Sequence, residues 1–173
     1  MKTVTGLIIG FVIGLIILPV LAVLYIRLGY APVATAAPAL PFERWAAKTA
    51  LHARITAEAP KQVPVAATEA NLTAGAKVYR NNCMLCHGLP DQPITPVAKG
   101  MYPHPPQLFH GKGVTDDPVG VTFWKVDNGI RLTGMPAFTG SLTKEQIWQV
   151  SQLLANGNHL PAAARAILQA PLQ

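Results

Sequence analysis

Both cysteines of the 173-residue chain lie in one short string, Cys83-Met84-Leu85-Cys86-His87, and this spacing limits what the chain can fold around more than any other feature does. Two thiols three positions apart on a helical turn can each add to a vinyl group of one haem, and the adjacent histidine is then set with its imidazole under the iron. Cys-x-x-Cys also serves disulfides, thioredoxin-like redox pairs and half-sites for zinc. Zinc would want a second pair, and these are the only two cysteines in the chain. A thioredoxin-like pair would need a βαβ context that is absent here. With His87 contiguous and Gly88 ending the turn, the string points to one covalent haem c held by Cys83 and Cys86, with His87 as a ligand of its iron.

The rest of the composition is divided unevenly. Half of the residues are hydrophobic and only 13% are charged, an apolar balance unusual for a small soluble domain. The excess sits at one end: between Thr3 and Ile26 there is no charged residue. At 1.5 Å rise per residue, that run is long enough to cross a hydrocarbon core about 30 Å thick. The apolar region of a signal peptide is shorter, about 7 to 15 residues, so an uncleaved single-pass anchor is expected. Pro19 is compatible with it, because membrane helices tolerate proline where the freed carbonyls find other partners. Thioethers to haem are formed outside the energised membrane, which places the attached domain on the periplasmic side of a bacterial inner membrane. Lys2 against Arg27 adds only a weak positive-inside signal.

Four segments follow from these features. Residues 1–30 are the anchor, and 31–70 are a Pro/Ala-rich linker containing a spacer helix. Residues 71–158 are the haem domain and 159–173 a C-terminal tail. The spacer, FERWAAKTALHARITAEA, favours helix and puts Arg54 and Glu58 four apart. It has few bulky apolar residues, so a solvated helix is expected rather than one lying on the membrane surface. Within the haem domain, Asn71 or Thr73 can cap a helix that runs into the cysteines. Ser141 or Thr143 can cap a last helix with Glu145 and Gln146 in its first turn and Gly157 as its stop. Gly and Pro are dense between them and strands are hard to find. The fold class is therefore mainly α, helices and loops around a cofactor, since about 88 residues make a small core without help. The formal net charge is +6, but no basic run or aromatic-basic interleaving suggests nucleic acid. From 71 to 158, seven cations (Lys112 among them) face five carboxylates, a balance of +2 that two haem propionates would roughly cancel.

A six-coordinate iron needs a second ligand. His52 lies in the spacer, His159 beyond the last helix, and Met84 beside the attachment site, which leaves Met101, His104, His110 and Met135. Met135 stands between Gly134 and Pro136, in a loop that can direct a thioether at a metal.

Over roughly residues 71–158 the chain resembles the class I cytochromes c. The resemblance rests on a helix with an aromatic, Tyr79, running into CxxCHG, then a Pro-rich loop, a Met-Pro loop and a final helix with an aromatic, Trp148. It implies that the first and last helices cross and pack through their aromatics, so that Tyr79 and Trp148 meet near the crossing, and that Met135 is the sixth ligand. More narrowly, the anchor, the spacer helix, YPHPPQL and FWKVDNGIRLTGMPAF are similar to single-haem, membrane-tethered bacterial cytochromes c. The resemblance also suggests a backbone carbonyl from Pro105 or Pro106 for the free nitrogen of His87, the choice between the two being open. Arg131 is the cation best placed for a haem propionate, with Trp124 and the Met-loop backbone as neighbours, the alternative being an ordinary solvated arginine.

If His87 and Met135 both bind the iron, no position is left for a substrate, and an electron carrier rather than an enzyme follows. Such a carrier would take electrons from a quinol-oxidising complex or a dehydrogenase and pass them to a terminal oxidase or reductase. Two alternatives remain: a haem-bearing subunit of a larger membrane oxidoreductase complex, and a haem enzyme with a labile sixth ligand. A peroxidase would need a distal acid-base histidine and usually a second haem, whereas one CxxCH is present.

Overall fold

The computed structural model describes residues 2–111 and 114–171, so that Lys112 lies outside the described residues. All regular structure among them is helical, in agreement with the expected class. The chain divides into two compact units, Met1–Pro41 and Phe42–Gln173. The first is built on α1 (Lys2–Arg27), which contains Pro19 and whose apolar side chains are exposed along its length. By length and composition α1 is able to cross a membrane.

The second unit contains α2 (Glu43–Glu58), α3 (Glu69–Asn82), α4 (Met84–His87), α5 (Pro96–Gly100), α6 (Val119–Asn128), α7 (Lys144–Ala155) and α8 (Ala162–Gln169). Its centre is the packing of α3 on α7. Thr68, earlier than the expected Asn71 or Thr73, caps α3 by accepting the Asn71 N–H on its hydroxyl at 3.3 Å. Of the two candidates at the start of α7, Thr143 is the cap. It forms a reciprocal box with Gln146, which satisfies two otherwise unpaired backbone donors.

The two helices meet at Gly75. A Cβ there would collide with the backbone carbonyl of Gln149 and lie 3.1 Å from the Leu153 Cβ. Glycine is therefore needed here for close approach, and the α7 face it meets is fully buried, with Ile147, Val150 and Leu153 at 0% exposure. The aromatics are arranged differently from the expectation. Trp148 stacks on Phe123 of α6 at 4.0 Å, while Tyr79 meets the edge of Phe109 at 4.9 Å. Two backbones this close leave no room for ring against ring between them, so each ring packs on a third element.

The unit also extends past both expected edges of the haem domain. Residues 159–173, expected as a tail, contain α8, which packs on α3 and buries Ala164 and Leu168. The Arg80 guanidinium donates to the Ile167 carbonyl at 3.0 Å and to that of Pro171, holding the end of α8 in place. On the other side, most of α2 is exposed, as expected of a solvated spacer, but its end docks on α6. Ile55 is buried there, and Gly120 leaves the space that the Pro60 carbonyl occupies.

Replacing Gly75 with valine should test the crossing. Its side chain would force α3 and α7 apart, so stability should fall by on the order of 2 kcal/mol. Denaturant unfolding of the haem-loaded protein reads this directly, and an unchanged midpoint would mean that the helices do not meet there.

Candidate haem site

The end of α3 places the attachment string. The Cys83 N–H closes the last turn of α3 on Tyr79, and the Cys83 carbonyl then accepts from both Cys86 and His87, at 3.2 and 2.9 Å. This winds α4 into a single turn. Gly88, at φ +72°, terminates it, in a backbone conformation that favours glycine. Its missing Cβ also leaves room for the side chain of Gln107, whose amide donates to the Cys86 carbonyl at 3.3 Å. The Tyr79 hydroxyl donates to the Gly88 carbonyl at 2.8 Å. Burial, then the neighbouring Cys83, raise its pKa well above the ordinary phenol value, so it stays a donor.

The chemistry of the string follows from its surroundings. Burial, with Cys86 second, pushes the pKa of the Cys83 thiol up to about 12, so this sulfur carries its proton at neutral pH. His87 Nδ1 lies 2.8 Å from the Pro106 carbonyl. A carbonyl can only accept, so Nδ1 holds the proton and Nε2 keeps a free lone pair. Burial lowers the imidazole pKa, with the Pro106 bond acting in the opposite direction, and the lowered value widens the pH range over which the ring is a neutral donor ligand. Of the two prolines left open by the sequence, the one that meets His87 is Pro106.

Met135 is placed by the end of α6. Gly129, at φ +67°, turns the chain back so sharply that a Cβ there would lie 2.6 Å from the Ala137 nitrogen and 2.9 Å from the Met135 oxygen. The Ile130 N–H donates to the Met135 carbonyl at 3.2 Å, and the Phe138 N–H donates to Val126 at 3.0 Å. Inside the loop the Thr133 hydroxyl donates to Ile130 at 2.6 Å and accepts the Met135 N–H at 3.1 Å. The Met135 backbone is thus held on both of its polar groups.

Between these two parts lies a cleft of about 130 Å³, open to solvent. Asn82, Cys83, Cys86 and His87 line it, with Met101, Pro103, Pro105 and Pro106 from the proline loop and Ile130, Thr133, Gly134, Met135, Pro136 and Phe138 from the methionine loop. Two thiols, an imidazole with one nitrogen free, thioethers and largely apolar walls are a donor set that fits a haem. Of the four candidates for a sixth ligand, Met135 and Met101 line the cleft. His104 does not, its Nδ1 being 3.5 Å from the Ala98 carbonyl, and neither does the exposed His110.

Arg131 and Trp124 are not among the lining residues. Arg131 is exposed, and the Trp124 indole donates to Glu58 at 3.1 Å, with Arg54 pairing the other oxygen of that carboxylate at 2.7 Å. The reason is the orientation of α6, which turns Trp124 toward α2. Sequence reasoning missed Gly129, Thr133 and Gln107. Asn128-Gly129 is a helix-stop signal that marks the first, whereas nothing local marks the other two.

Residues 70–154 match the family described as cytochrome c oxidase, cbb3-type, subunit III. Comparison with curated proteins and with solved structures gives no match.

Thr133→Val should release the Met135 amide while keeping the shape of the side chain. The lost hydrogen bond contributes about 1 kcal/mol, so exchange of that amide in the haem-loaded protein should speed up about fivefold. Hydrogen-exchange measurements giving the wild-type rate would mean that Thr133 does not hold the loop.

Proposed function

We propose, on the premise that residues 70–154 are a class I c-type cytochrome domain, that the chain is a membrane-anchored monohaem electron carrier. The domain itself implies haem binding and electron transfer with redox protein partners. In the finer reading Cys83 and Cys86 would hold one haem c through thioethers, the S–H of each added across a vinyl group. His87 Nε2 and the Met135 thioether would bind its iron. The observation that carries this reading is the hydrogen bond from His87 Nδ1 to Pro106, which leaves Nε2 as the only free ring donor in a cleft that Met135 also lines.

The iron supplies a one-electron couple. The chain's own residues hold and tune it. Pro106 fixes the imidazole tautomer and raises its basicity, and the proline and methionine loops supply largely apolar walls. The Met135 sulfur is a soft donor that favours the ferrous state, which sets the potential on the positive side for a haem. With His87 and Met135 as its ligands the iron would have no position for a substrate, and the chain would move electrons. The exposed, apolar α1 serves as the anchor, and thioether formation outside the inner membrane puts the haem domain in the periplasm.

The oxidase-subunit description of the matching family favours a second reading, in which the same haem domain is an electron-entry subunit of a membrane oxidoreductase complex. Mild-detergent purification of the full-length protein separates the two: a carrier elutes alone, a subunit with its complex.

Two measurements test the site. Denatured protein should keep its haem in acidified organic solvent, and release of the haem would end the covalent reading. Met135→His should remove the weak long-wavelength charge-transfer band of a thioether on ferric iron and lower the midpoint potential. A band that survives this change would show that Met135 is not the ligand.

A further inference from the structure

The cleft is lined by a second thioether, Met101, whose terminal methyl lies where a side chain at position 134 would begin. A Cβ on Gly134 would collide with Met101 Cε and sit 3.7 Å from its sulfur. Unlike Gly88 and Gly129, Gly134 does not have a left-handed backbone, so the conformation of the chain gives no reason for glycine at this position. The reason is space, and Met101 occupies it.

Met101 is held independently of the methionine loop. Its N–H donates to the Ala98 carbonyl at 3.3 Å, at the end of α5. α5 is fixed in turn by Thr95, whose hydroxyl accepts from Ala98 at 3.1 Å and donates to the Leu85 carbonyl of the attachment string at 2.6 Å. The next residue, Tyr102, lies under the Arg44 guanidinium at 5.9 Å. A side chain anchored to the cysteine side of the cleft thus reaches across and abuts the residue just before Met135.

We infer that Met101 is the positioning residue for Met135: its side chain fills the gap beside Gly134 and holds the Gly134–Met135 backbone at the cleft wall. This rests on the reading of Met135 as the sixth ligand. The thioether–iron bond is weak, so its occupancy depends on where the loop is allowed to sit. Hydrogen bonds hold the loop to α6, and Met101 limits its movement from the opposite side of the cleft.

The test uses the full-length, haem-loaded protein and four variants: Met101→Ala, Met101→Leu, Gly134→Ala and the double variant Met101→Ala with Gly134→Ala. The readouts are the charge-transfer band and the concentration of added imidazole that displaces it by half. Met101→Ala opens a gap beside the loop, and half-displacement should need about tenfold less imidazole, as expected of a shifted two-state equilibrium. Met101→Leu fills nearly the same volume and should stay near wild type. Gly134→Ala should act in the same direction as Met101→Ala but more weakly, because the end of the Met101 side chain is flexible enough to move aside. In the double variant the new methyl group at position 134 lies in the space Met101 leaves, so part of the loss should be recovered, a non-additive outcome. Wild-type displacement in Met101→Ala, or losses that simply add in the double variant, would overturn the inference while leaving Met135 as ligand. Loss of the band in Met101→Leu would instead make Met101 the ligand, and both readings would fall.

Discussion

The backbone contact between α3 and α7 at Gly75 is the constraint on which the rest of the second unit depends. α3 ends in the cysteine turn and α7 follows the methionine loop, so the crossing sets the relative position of the two segments that form the cleft. Because the crossing is so close, its aromatic residues look elsewhere for partners. Tyr79 turns to Phe109 and to the Gly88 carbonyl, where it braces the attachment string. Trp148 turns to Phe123, which ties α7 to α6 and so to the base of the methionine loop. The same helix pairing thereby supports both walls.

Those walls are rigid in different ways. The cysteine side is a run of short-range hydrogen bonds closed by Gln107 and Pro106, contacts that fix the ring orientation of His87. The methionine side is a turn fastened to α6 through Gly129, Ile130 and Thr133. An axial thioether is a weaker ligand than an imidazole and depends more on the segment that presents it. Met135 has a hydrogen bond on each of its backbone polar groups and Met101 beside its preceding residue. The docking of α2 through Glu58 and Trp124 reaches α6 as well, which makes the segment expected to be a spacer part of the framework behind the loop.

Much of this was legible in the residues themselves. The apolar run from Thr3 to Ile26 reads as a spanning helix because hydrophobicity over a fixed length needs no partner to define it. The start of α7 and the turn at Cys83 to His87 were legible for the same reason, since caps and i to i+4 bonds are made within a few residues. The extent of the folded unit was not. Ala162 to Gln169 carries apolar residues at helical spacing, Ala164, Ile167 and Leu168, but so short a stripe does not name its partner, and it becomes part of the core because α3 offers a face to Ala164 and Leu168. The surroundings of Trp124 were not legible for a similar reason: it stands close to the methionine loop in sequence, but the rotation of α6 directs its indole N–H to Glu58.

What the sequence by itself determined is the helical class, the apolar span and the string that brings two thiols and an imidazole onto one turn, all properties of residues within one or two helical turns of each other. Only the tertiary structure decided that Pro106 and not Pro105 meets His87, and that Met101 and Met135 line the cleft while His104 and His110 do not. It also decided that Gly134 leaves room for a side chain 33 positions earlier in the chain. These choices depend on where two loops lie after α3 and α7 have packed, and no spacing along the chain encodes a distance across a cleft.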